Sequence, residues 1–280
     1  MKSIAVLLTV FNRKEKTLQC LSNLFKQELP QECLLDVYLT NDGCTDGTPE
    51  TVKELFPQVN IINGDGNLFW NRGMWTAWDV ASKTKDYDFY FWLNDDTFLY
   101  DGAIIKLLKT SLKYENKAII VGATESLDKS HTTYGGGVVS RNYHKVSGFD
   151  EKCVTFNGNI VIVPKYVYGC IGNLDFYYRH SGGDTDYGYT ATKKGIAIYQ
   201  IGEHLGACDE HPTLSTWCNP KVPLRNRWKA LHRPNGQPPH EIFHLESKFF
   251  GIGQAAFHFL TTYLHCICPQ LWSLLGKVKE

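Results

Sequence analysis

The sequence has no excess of charge of either sign, because 29 Lys and Arg residues balance 29 Asp and Glu residues. A protein that follows the phosphates of a nucleic acid needs clustered basic side chains on its surface. We therefore expect no nucleic-acid partner. Repeats and low-complexity tracts are also missing, and the 43% hydrophobic and 13% aromatic content is typical of a globular protein.

The nine cysteines include no Cys-x-x-Cys pair, which argues against a zinc ribbon or a thioredoxin-type site. An odd number of cysteines without such spacing favours reduced thiols in a cytosolic protein. The apolar run at residues 4–10 is too short for a signal peptide, and polar residues 12–16 end it at once. We therefore expect a cytoplasmic protein whose first residues form a buried strand.

Apolar runs of strand length alternate with helical patterns in the first hundred residues. The predicted strands are residues 4–10, 34–39, 59–62 and 88–93, and the predicted helices are 16–29, 49–56 and 74–83. Strands and helices that alternate in units of about 30 residues predict a mostly parallel α/β sheet flanked by helices. Ligands bind such sheets beyond the carboxyl ends of the strands.

The second half of the sequence has a mixed pattern. Strands are predicted at residues 118–122, 137–139, 159–163 and 196–201, and helices at 166–171 and 182–194. Residues 202–239 are expected to be irregular. Residues 241–276 are apolar with helical spacing and predict a C-terminal helical extension.

Adjacent carboxylates stand at the end of the strand predicted at 88–93, in the sequence Asn94-Asp95-Asp96. Such neighbours repel each other, and a divalent cation would neutralise them. Oxygen ligands in an open loop suit Mg²⁺ or Mn²⁺, which also bind phosphates. The alternative is structural, with Asp96 as the N-cap of a helix over residues 97–109.

Two further segments have both a functional and a structural interpretation. Asp184 and Asp186 begin a predicted helix, where they would either cap the helix or supply a general base. Residues 66–75 carry Arg72 at the start of another helix, a place that suits a phosphate. Alternatively, this segment is a loop whose Trp70 and Trp75 fill the core.

Five motifs along the chain match one known arrangement. Residues 9–13 correspond to a first strand and its loop, and residues 40–48 to a loop of the type Asp-Asp-Gly-Ser-Thr-Asp-Gly-Thr. Residues 94–96 stand where an Asp-x-Asp metal motif belongs, and residues 183–188 correspond to an acidic motif that supplies a catalytic base. With residues 66–74, which are similar to those of rhamnosyl- and galactofuranosyl-transferases, the chain resembles a family 2 glycosyltransferase with the GT-A fold over about residues 3–205.

The resemblance implies an inverting, metal-dependent transfer from a nucleotide-diphosphate sugar, with UDP or dTDP as the nucleotide, to a glycan or lipid-linked acceptor in cell-surface polysaccharide synthesis. Asp184 would be the catalytic base. The implied nucleotide-binding residues are Thr9, Phe11, Asn41, Asp42, Asn67, Arg72 and Asp95. The implied ligands of Mg²⁺ or Mn²⁺ are Asp96 with His204 or His211, and the implied acceptor-binding residues are Trp70, Asn157, Asn159 and Asp186.

Three residues depart from the family pattern. Asn41 replaces the usual Asp, which leaves the choice of nucleotide less certain. Cys44 replaces Ser, and Thr190 stands where an Arg commonly follows the base motif. A local ion pair of the family is therefore in doubt.

The domain prediction separates a catalytic domain, residues 1–205, from a tail, residues 206–280. Residues 1–100 would form the nucleotide-binding half of the catalytic domain and residues 101–205 the acceptor-binding half. The least polar part of the tail, residues 251–268, is marginal for a membrane span. An amphipathic helix on the inner face of the membrane is one hypothesis, and a lid or a dimer contact is the other.

Two other functions remain as alternatives. A sugar-nucleotide nucleotidyltransferase would need a glycine-rich first loop, but residues 9–16 contain no glycine. A non-catalytic carbohydrate-binding module would use the many Trp and Tyr side chains but would leave the paired acids unexplained.

Overall fold

The computed structural model describes residues 2–139, 142–210 and 215–270. The chain divides into two compact units. Unit 1 comprises Met1–Phe176 and Gly183–Glu210, and unit 2 comprises Tyr177–Gly182 and His211–Glu280.

Unit 1 is built on one large sheet with a small second sheet. Its strands are β1 (Lys2–Val10), β2 (Cys33–Asn41), β3 (Val59–Asn63), β4 (Phe89–Leu93), β5 (Phe98–Leu99), β6 (Ile119–Glu125), β7 (Thr132–Tyr134), β8 (Gly136–Val139), β9 (Asn142–Tyr143), β10 (Glu151–Cys153), β11 (Thr155–Phe156), β12 (Ile160–Pro164) and β13 (Ile198–Ala207). Its helices are α1 (Lys14–Phe25), α2 (Thr48–Leu55), α3 (Phe69–Thr84), α4 (Ala103–Lys113), α5 (Lys165–Ile171) and α6 (Gly183–Lys193).

The large sheet has the strand order β10-β13-β6-β12-β4-β1-β2-β3. Strands β1 to β4 pair in parallel, whereas β12 is antiparallel to both of its neighbours, β4 and β6. Strand β13 is parallel to β6 and antiparallel to β10. The predicted α/β sheet is therefore confirmed, with its parallel part in the first hundred residues and a mixed part beyond them.

Helices cover both faces of this sheet. Successive side chains of a strand point to opposite faces, so Ile4, Val6 and Leu8 of β1 join the core under α1 and α4. Ala5 and Leu7 join the opposite core, to which α3 contributes Trp78. Burial on both faces explains why residues 4–8 of β1 are all apolar.

A helix predicted to begin after Asp96 begins later in the structure. Phe98 and Leu99 form β5, which pairs with Ala207 and Gly206 of β13. Helix α4 then starts at Ala103, after Gly102 has turned the chain with φ 75°. Asp96 is therefore not a helix N-cap, and the structural alternative for this residue is wrong.

Other boundaries also differ from those that the sequence patterns predicted. Helix α3 begins at Phe69 rather than 74, and β13 runs on to Ala207 rather than ending at 201. The segment 202–239, expected to be irregular, contains a helix, α7 (Leu224–His232).

Unit 2 is helical. It contains a 3₁₀ turn (Thr216–Cys218), α7, α8 (Pro239–Phe249) and α9 (Ile252–Ile267). The predicted helix over 241–276 is interrupted at Gly251, whose φ of 92° is incompatible with a continuous helix, and its last residues lie outside the described part. The guanidinium of Arg227 donates hydrogen bonds to the carbonyls of Cys266 and Ile267 at 2.8 and 3.1 Å, which ties α7 to the end of α9. No helix within the described residues is both long and apolar enough to cross a membrane.

Candidate active site

The paired carboxylates lie in a tight turn directly after β4. Leu93 ends the strand, and the amide of Thr97 closes the turn on the carbonyl of Asn94 at 3.1 Å. Asp95 and Asp96 are 5% and 8% exposed, so both acids are almost removed from water. Because burial of a carboxylate without a partner is costly, this turn requires a cation.

Arg13 supplies that positive charge. Its Nη1 donates to Oδ1 of Asp95 at 3.2 Å and to Oδ2 of Asp96 at 2.8 Å. Burial raises the pKa of Asp95 to about 7, with Arg13 opposing the rise and the charge of Asp96 adding to it. Burial also acts to lower the pKa of Arg13, but the two carboxylates outweigh it and the net shift is upward. The guanidinium therefore stays charged.

The remaining oxygens of the two acids also have partners. The Thr17 hydroxyl, which also donates to the carbonyl of Arg13 at 3.0 Å, lies 3.4 Å from Oδ2 of Asp95, and the Cys208 thiol lies 3.8 Å from Oδ1 of Asp96. Burial raises the pKa of Cys208 to about 12, which keeps this sulfur a neutral thiol. The four carboxylate oxygens are thus each in contact with a donor.

The chemistry of this donor set suits Mg²⁺ or Mn²⁺. Mg²⁺ is typically held by one or two carboxylates, with substrate phosphates and waters completing its coordination. Asp95 and Asp96 provide such a pair. Among residues 2–139, 142–210 and 215–270, no group of three or more His, Cys, Asp or Glu side chains is arranged to hold a metal by itself. The protein part of a metal site here would therefore be the two aspartates.

The structure does not bring His204 to this pair. Nδ1 of His204 lies 3.2 Å from Oε2 of Glu125, and Nε2 lies 2.8 Å from the hydroxyl of Thr132. Cys208, which does touch Asp96, is four residues further along, a distance of about 13 Å in an extended strand. His204 is therefore held by β6 and β7, away from Asp96, while His211, the other candidate, lies outside the described residues.

Asp184 is joined to the acidic turn through a short network. The amide of Gly158 donates to Oδ2 of Asp184 at 3.2 Å, and the amide of Thr185 donates to Oδ1 at 2.7 Å. The next residue, Asn159, accepts hydrogen bonds from Asn94, at its carbonyl from the backbone and at Oδ1 from the side chain. Asn94 immediately precedes Asp95. Both acidic groups therefore lie at the same edge of the large sheet.

Trp70 belongs to the same network. Its Nε1 donates to Oδ1 of Asn94 at 2.7 Å, and a Cβ on Gly158 would lie only 2.5 Å from its ring. Asn157 orients the loop by accepting the amide of Asn159 at 3.1 Å. The half-buried ring of Trp70 thus lies against the loop that holds Asp184, and its contact with an acceptor stays a prediction.

Asp42 is fully engaged with the loop before α3. Its carboxylate accepts the amides of Gly66 and Leu68 on Oδ1, at 3.0 and 3.1 Å, and the amide of Phe69 on Oδ2, at 2.8 Å. Asn41 accepts the amide of Cys44 at 2.9 Å and donates to Asn63 at 3.1 Å. Both side chains shape the loops where the nucleotide was expected, and their direct contact with a nucleotide stays a prediction.

The other predicted nucleotide-binding residues surround this loop or brace α3. Thr9 is buried at the end of β1, Phe11 follows it with 54% exposure, and Asn67 is exposed. Arg72 donates from Nε to the carbonyl of Phe176 at 3.0 Å, with its guanidinium 4.7 Å from the Phe176 ring centre. These contacts show Arg72 holding the segment before α6, and a phosphate contact by Arg72 stays a prediction.

Asp186 is buried inside α6, at 3% exposure. The hydroxyl of Thr190, four residues later, donates to its Oδ1 at 3.2 Å. Thr190 therefore donates a hydrogen bond from an uncharged hydroxyl to Asp186, at the position where an Arg of the family would form an ion pair. Asp184, by contrast, is only partly buried, so of the two acids it is the one with access to solvent.

Sequence reasoning missed the roles of Arg13 and Asn94. Arg13 is 82 and 83 residues away from the two acids that it contacts, and only its place in the first motif indicated that it matters. Asn94 acts through both halves of its amide, accepting from Trp70 and donating to Asn159. An ionised Asp has no hydrogen-bond donor and could not make both contacts, which explains the Asn at this position.

Comparison with known proteins now identifies the family, because the model of glycosyl transferase family 2 matches residues 5–184. The chain belongs to glycosyl transferase family 2. No curated protein sequence matches it significantly.

Solved structures of TarS from S. aureus share the fold. One TarS structure has a TM-score of 0.55 at 11% identity, covering 90% of this chain and 43% of TarS. A shorter form, TarS 1-349 in complex with UDP-GlcNAc, has a TM-score of 0.54 at 15% identity, covering 100% of this chain and 76% of that form. The GT-A fold is therefore confirmed, and the chain spans less than half the length of the longer TarS structure.

Proposed function

We propose that this family 2 glycosyltransferase moves a sugar, with inversion, from a nucleotide-diphosphate sugar to a hydroxyl of a glycan or lipid-linked acceptor in cell-surface polysaccharide synthesis. The observation that carries the proposal is the network from Asp184 through Gly158 and Asn159 to Asn94, beside the acidic pair. It supports a single site in which the leaving group and the attacking hydroxyl have separate partners.

Asp184 is the proposed base that takes the proton of the incoming hydroxyl. Two backbone amides fix its carboxylate, so it needs no reorganisation when the acceptor binds. A positioned base typically contributes about 10²–10⁴-fold to the rate. With one base on the side of the acceptor, direct displacement at the sugar carbon inverts the configuration, by the logic of inverting glycoside chemistry.

Asp95 and Asp96 are the proposed holders of Mg²⁺ or Mn²⁺. When bound, such an ion supplies positive charge to the departing diphosphate. The chain itself contributes a pair of carboxylates that is already ordered by Arg13, Thr17 and Cys208. A His as a third ligand stays a prediction, because His204, the first candidate, is engaged with Glu125 and Thr132 and His211, the second, lies outside the described residues.

The proposed donor is a UDP-sugar, with a dTDP-sugar as the second candidate. TarS 1-349 has been solved with UDP and with UDP-GlcNAc, and similarity of fold makes these nucleotides the first to test. The similarity of residues 66–74 to rhamnosyl- and galactofuranosyl-transferases supports those sugars as candidates besides GlcNAc. The nucleotide would lie over the loops shaped by Asn41 and Asp42.

A peripheral contact with the inner face of the cell membrane is part of the proposal, and with it a cytoplasmic location. Helix α9 exposes a row of large apolar side chains, namely Phe257, Leu260, Leu264 and Ile267 at 63, 67, 43 and 45% exposure. Their spacing places them on one face of the helix. Such a face would suit an enzyme whose acceptor is anchored in lipid.

The experiment that tests the function is hydrolysis of donors in the absence of acceptor. A transferase slowly transfers its sugar to water, so nucleoside diphosphate should be released from UDP-GlcNAc or another UDP- or dTDP-sugar when Mn²⁺ is present. Donors are first ranked by metal-dependent thermal stabilisation. Binding of a donor without release of the diphosphate would favour a non-catalytic binding module and overturn the proposal.

A further inference from the structure

We infer that Arg13 is an internal counter-ion that competes with a divalent metal for the Asp95–Asp96 pair and must leave the pair before a metal binds. The inference rests on the proposed metal site, and it assigns to Arg13 the control of access to it. Three features of the site support this role, namely the contacts of the carboxylate oxygens, the position of Arg13 on the chain and the exposure of its side chain.

Every oxygen of the acidic pair is in contact with a donor, and Arg13 contacts one oxygen of each acid. The two distances from Nη1 are 3.2 Å to Asp95 and 2.8 Å to Asp96, so one nitrogen bridges both side chains. An Mg²⁺ ion that used both aspartates would approach these oxygens to about 2.0–2.1 Å. Because the guanidinium and the metal ion are both positive, they cannot share that position at low energetic cost.

The side chain of Arg13 can move away from the Asp95–Asp96 pair, whereas those of Thr17 and Cys208 cannot. Thr17 is completely buried in α1 and Cys208 is 3% exposed at the end of β13. The side chain of Arg13 is 39% exposed, against 8 and 10% for the side chains of Asp95 and Asp96. Arg13 also belongs to the short link between β1 and α1 rather than to either element. Its side chain can therefore turn into solvent without disrupting the sheet.

A counter-ion of this kind has a functional consequence. Without donor, Arg13 offsets part of the negative charge of the carboxylates, and free metal must displace this charge-assisted contact to bind. When a diphosphate is present, it offers the guanidinium a new anionic partner and offers the metal additional oxygens. Arg13 would thus favour binding of metal and donor together over binding of metal alone.

The test is Mn²⁺ binding by the full chain without nucleotide, measured as the rise in melting temperature and by calorimetric titration. Arg13→Gln should melt below the wild type in EDTA and should bind Mn²⁺ at least about tenfold more tightly, a change of about 1.4 kcal/mol. Arg13→Lys, which keeps the charge, should remain close to the wild type. Lys106→Gln, which breaks the exposed ion pair with Glu203, is the matched control and should change nothing.

Several results would overturn the inference. One is equal or weaker Mn²⁺ binding by a folded Arg13→Gln variant. If this variant does not fold in EDTA, millimolar Mn²⁺ should restore folding, because the metal replaces the missing charge; failure to do so also contradicts the inference. Adding Asp96→Asn to Arg13→Gln should abolish the gain. Because this readout needs no sugar donor, a failure here leaves donor hydrolysis, and with it the proposed function, unaffected.

Discussion

The amide of Gly158 donates a hydrogen bond to the carboxylate of Asp184 at 3.2 Å. Gly158 precedes β12, which is antiparallel to β4, and the register that pairs Ile160 with Leu93 continues into the contact of Asn159 with Asn94. The position of Asp184 is therefore tied to the acidic turn by strand pairing. Changes at either end of this link should have separable effects on chemistry and on folding.

Replacing Asp184 by Asn should lower donor-dependent transfer by at least about 10²-fold, since the amide cannot accept the proton of the acceptor. The variant should still fold, because the amide oxygen can accept one of the two backbone hydrogen bonds now made by the carboxylate. Transfer rates and binding of UDP to the same preparations provide the measurement. Binding of UDP should be largely retained.

The comparison of the two measurements decides the role of Asp184. A parallel loss of transfer and nucleotide binding would show that Asp184 is structural. Loss of transfer alone assigns it to the chemical step.

Replacing Asn94 by Ala should destabilise the protein by about 1–3 kcal/mol, since Nε1 of Trp70 and Oδ1 of Asn159 both lose their partner in a mostly buried place. Chemical denaturation in EDTA measures this loss without any contribution from metal. The matched control is Asn67→Ala, because Asn67 is exposed and its Nδ2 makes only a long contact of 3.5 Å. Equal stability of the two variants would show that the Asn94 bridge contributes nothing.

Replacing Gly73 by Ala should cost about 1–3 kcal/mol of stability through overpacking. A Cβ at this position would lie 2.8 Å from Cβ of Thr9 and closer still to its hydroxyl, since α3 packs directly on β1 here. The second substitution Thr9→Ala should recover part of the loss. Thermal unfolding of the single and double variants provides the measurement.

Gly169→Ala is the control for the Gly73→Ala substitution. It lies within α5, and a Cβ there meets nothing within 4 Å. Alanine should therefore stabilise the protein by about 0.5–1 kcal/mol through its better helix propensity. If both alanines had the same effect, close packing of α3 on β1 would not explain Gly73.

The pH dependence of stability should report the burial of Asp95. Burial raises the pKa of Asp95 to about 7 in the folded chain, above the value near 3.9 of an unfolded chain. The contribution of protonated Asp95 to the free energy of unfolding is therefore complete below about pH 4 and is lost as the pH rises through 7. In EDTA, the fall in melting temperature between pH 5 and pH 8 should be larger for the wild type than for Asp95→Asn, by on the order of 5 °C.

Groups that titrate in both proteins cancel in this comparison, so only the difference between the two slopes is informative. Identical slopes would show that Asp95 is ionised throughout this range.

Some elements could be predicted from the sequence because their burial leaves a local pattern. Residues 4–8 of β1 and residues 89–93 of β4 form continuous hydrophobic runs, since helices cover both faces of these strands. Strand β5 could not be predicted in this way, because its two residues become a strand only by pairing with β13, more than a hundred residues further along the chain. The interpretation of Asp96 as a helix cap failed for that reason.

The candidate site, too, could be predicted from the sequence only in part. The acidic turn and the base motif could be found from residue type, order and the ends of strands. The contacts of Arg13 with Asp96 and of His204 with Glu125 depend on tertiary geometry. The position of His204 also depends on register shifts in β13. Spacing along the chain carries no information about them.

The membrane hypothesis predicts that the apolar face of α9 binds lipid without help from charge. Residues 252–267 contain no Lys, Arg, Asp or Glu, so co-sedimentation with vesicles of neutral phosphatidylcholine should occur and should be insensitive to salt. Point substitutions test this better than a truncation at residue 240, which would remove the carbonyls that Arg227 binds.

The variant with Phe257→Ser and Leu260→Ser should lose at least about tenfold in vesicle binding, because each buried large apolar side chain contributes roughly 1.5–3 kcal/mol. Both side chains are more than 60% exposed, so the helix should tolerate the change. Leu112→Ser is the matched control, since Leu112 is 60% exposed but lies on α4 in unit 1. Equal pelleting of the double variant and the wild type, or loss with Leu112→Ser as well, would exclude α9 as the membrane contact. A concentration-dependent change in mass that the double variant abolishes would instead assign the same face to a second copy of the chain.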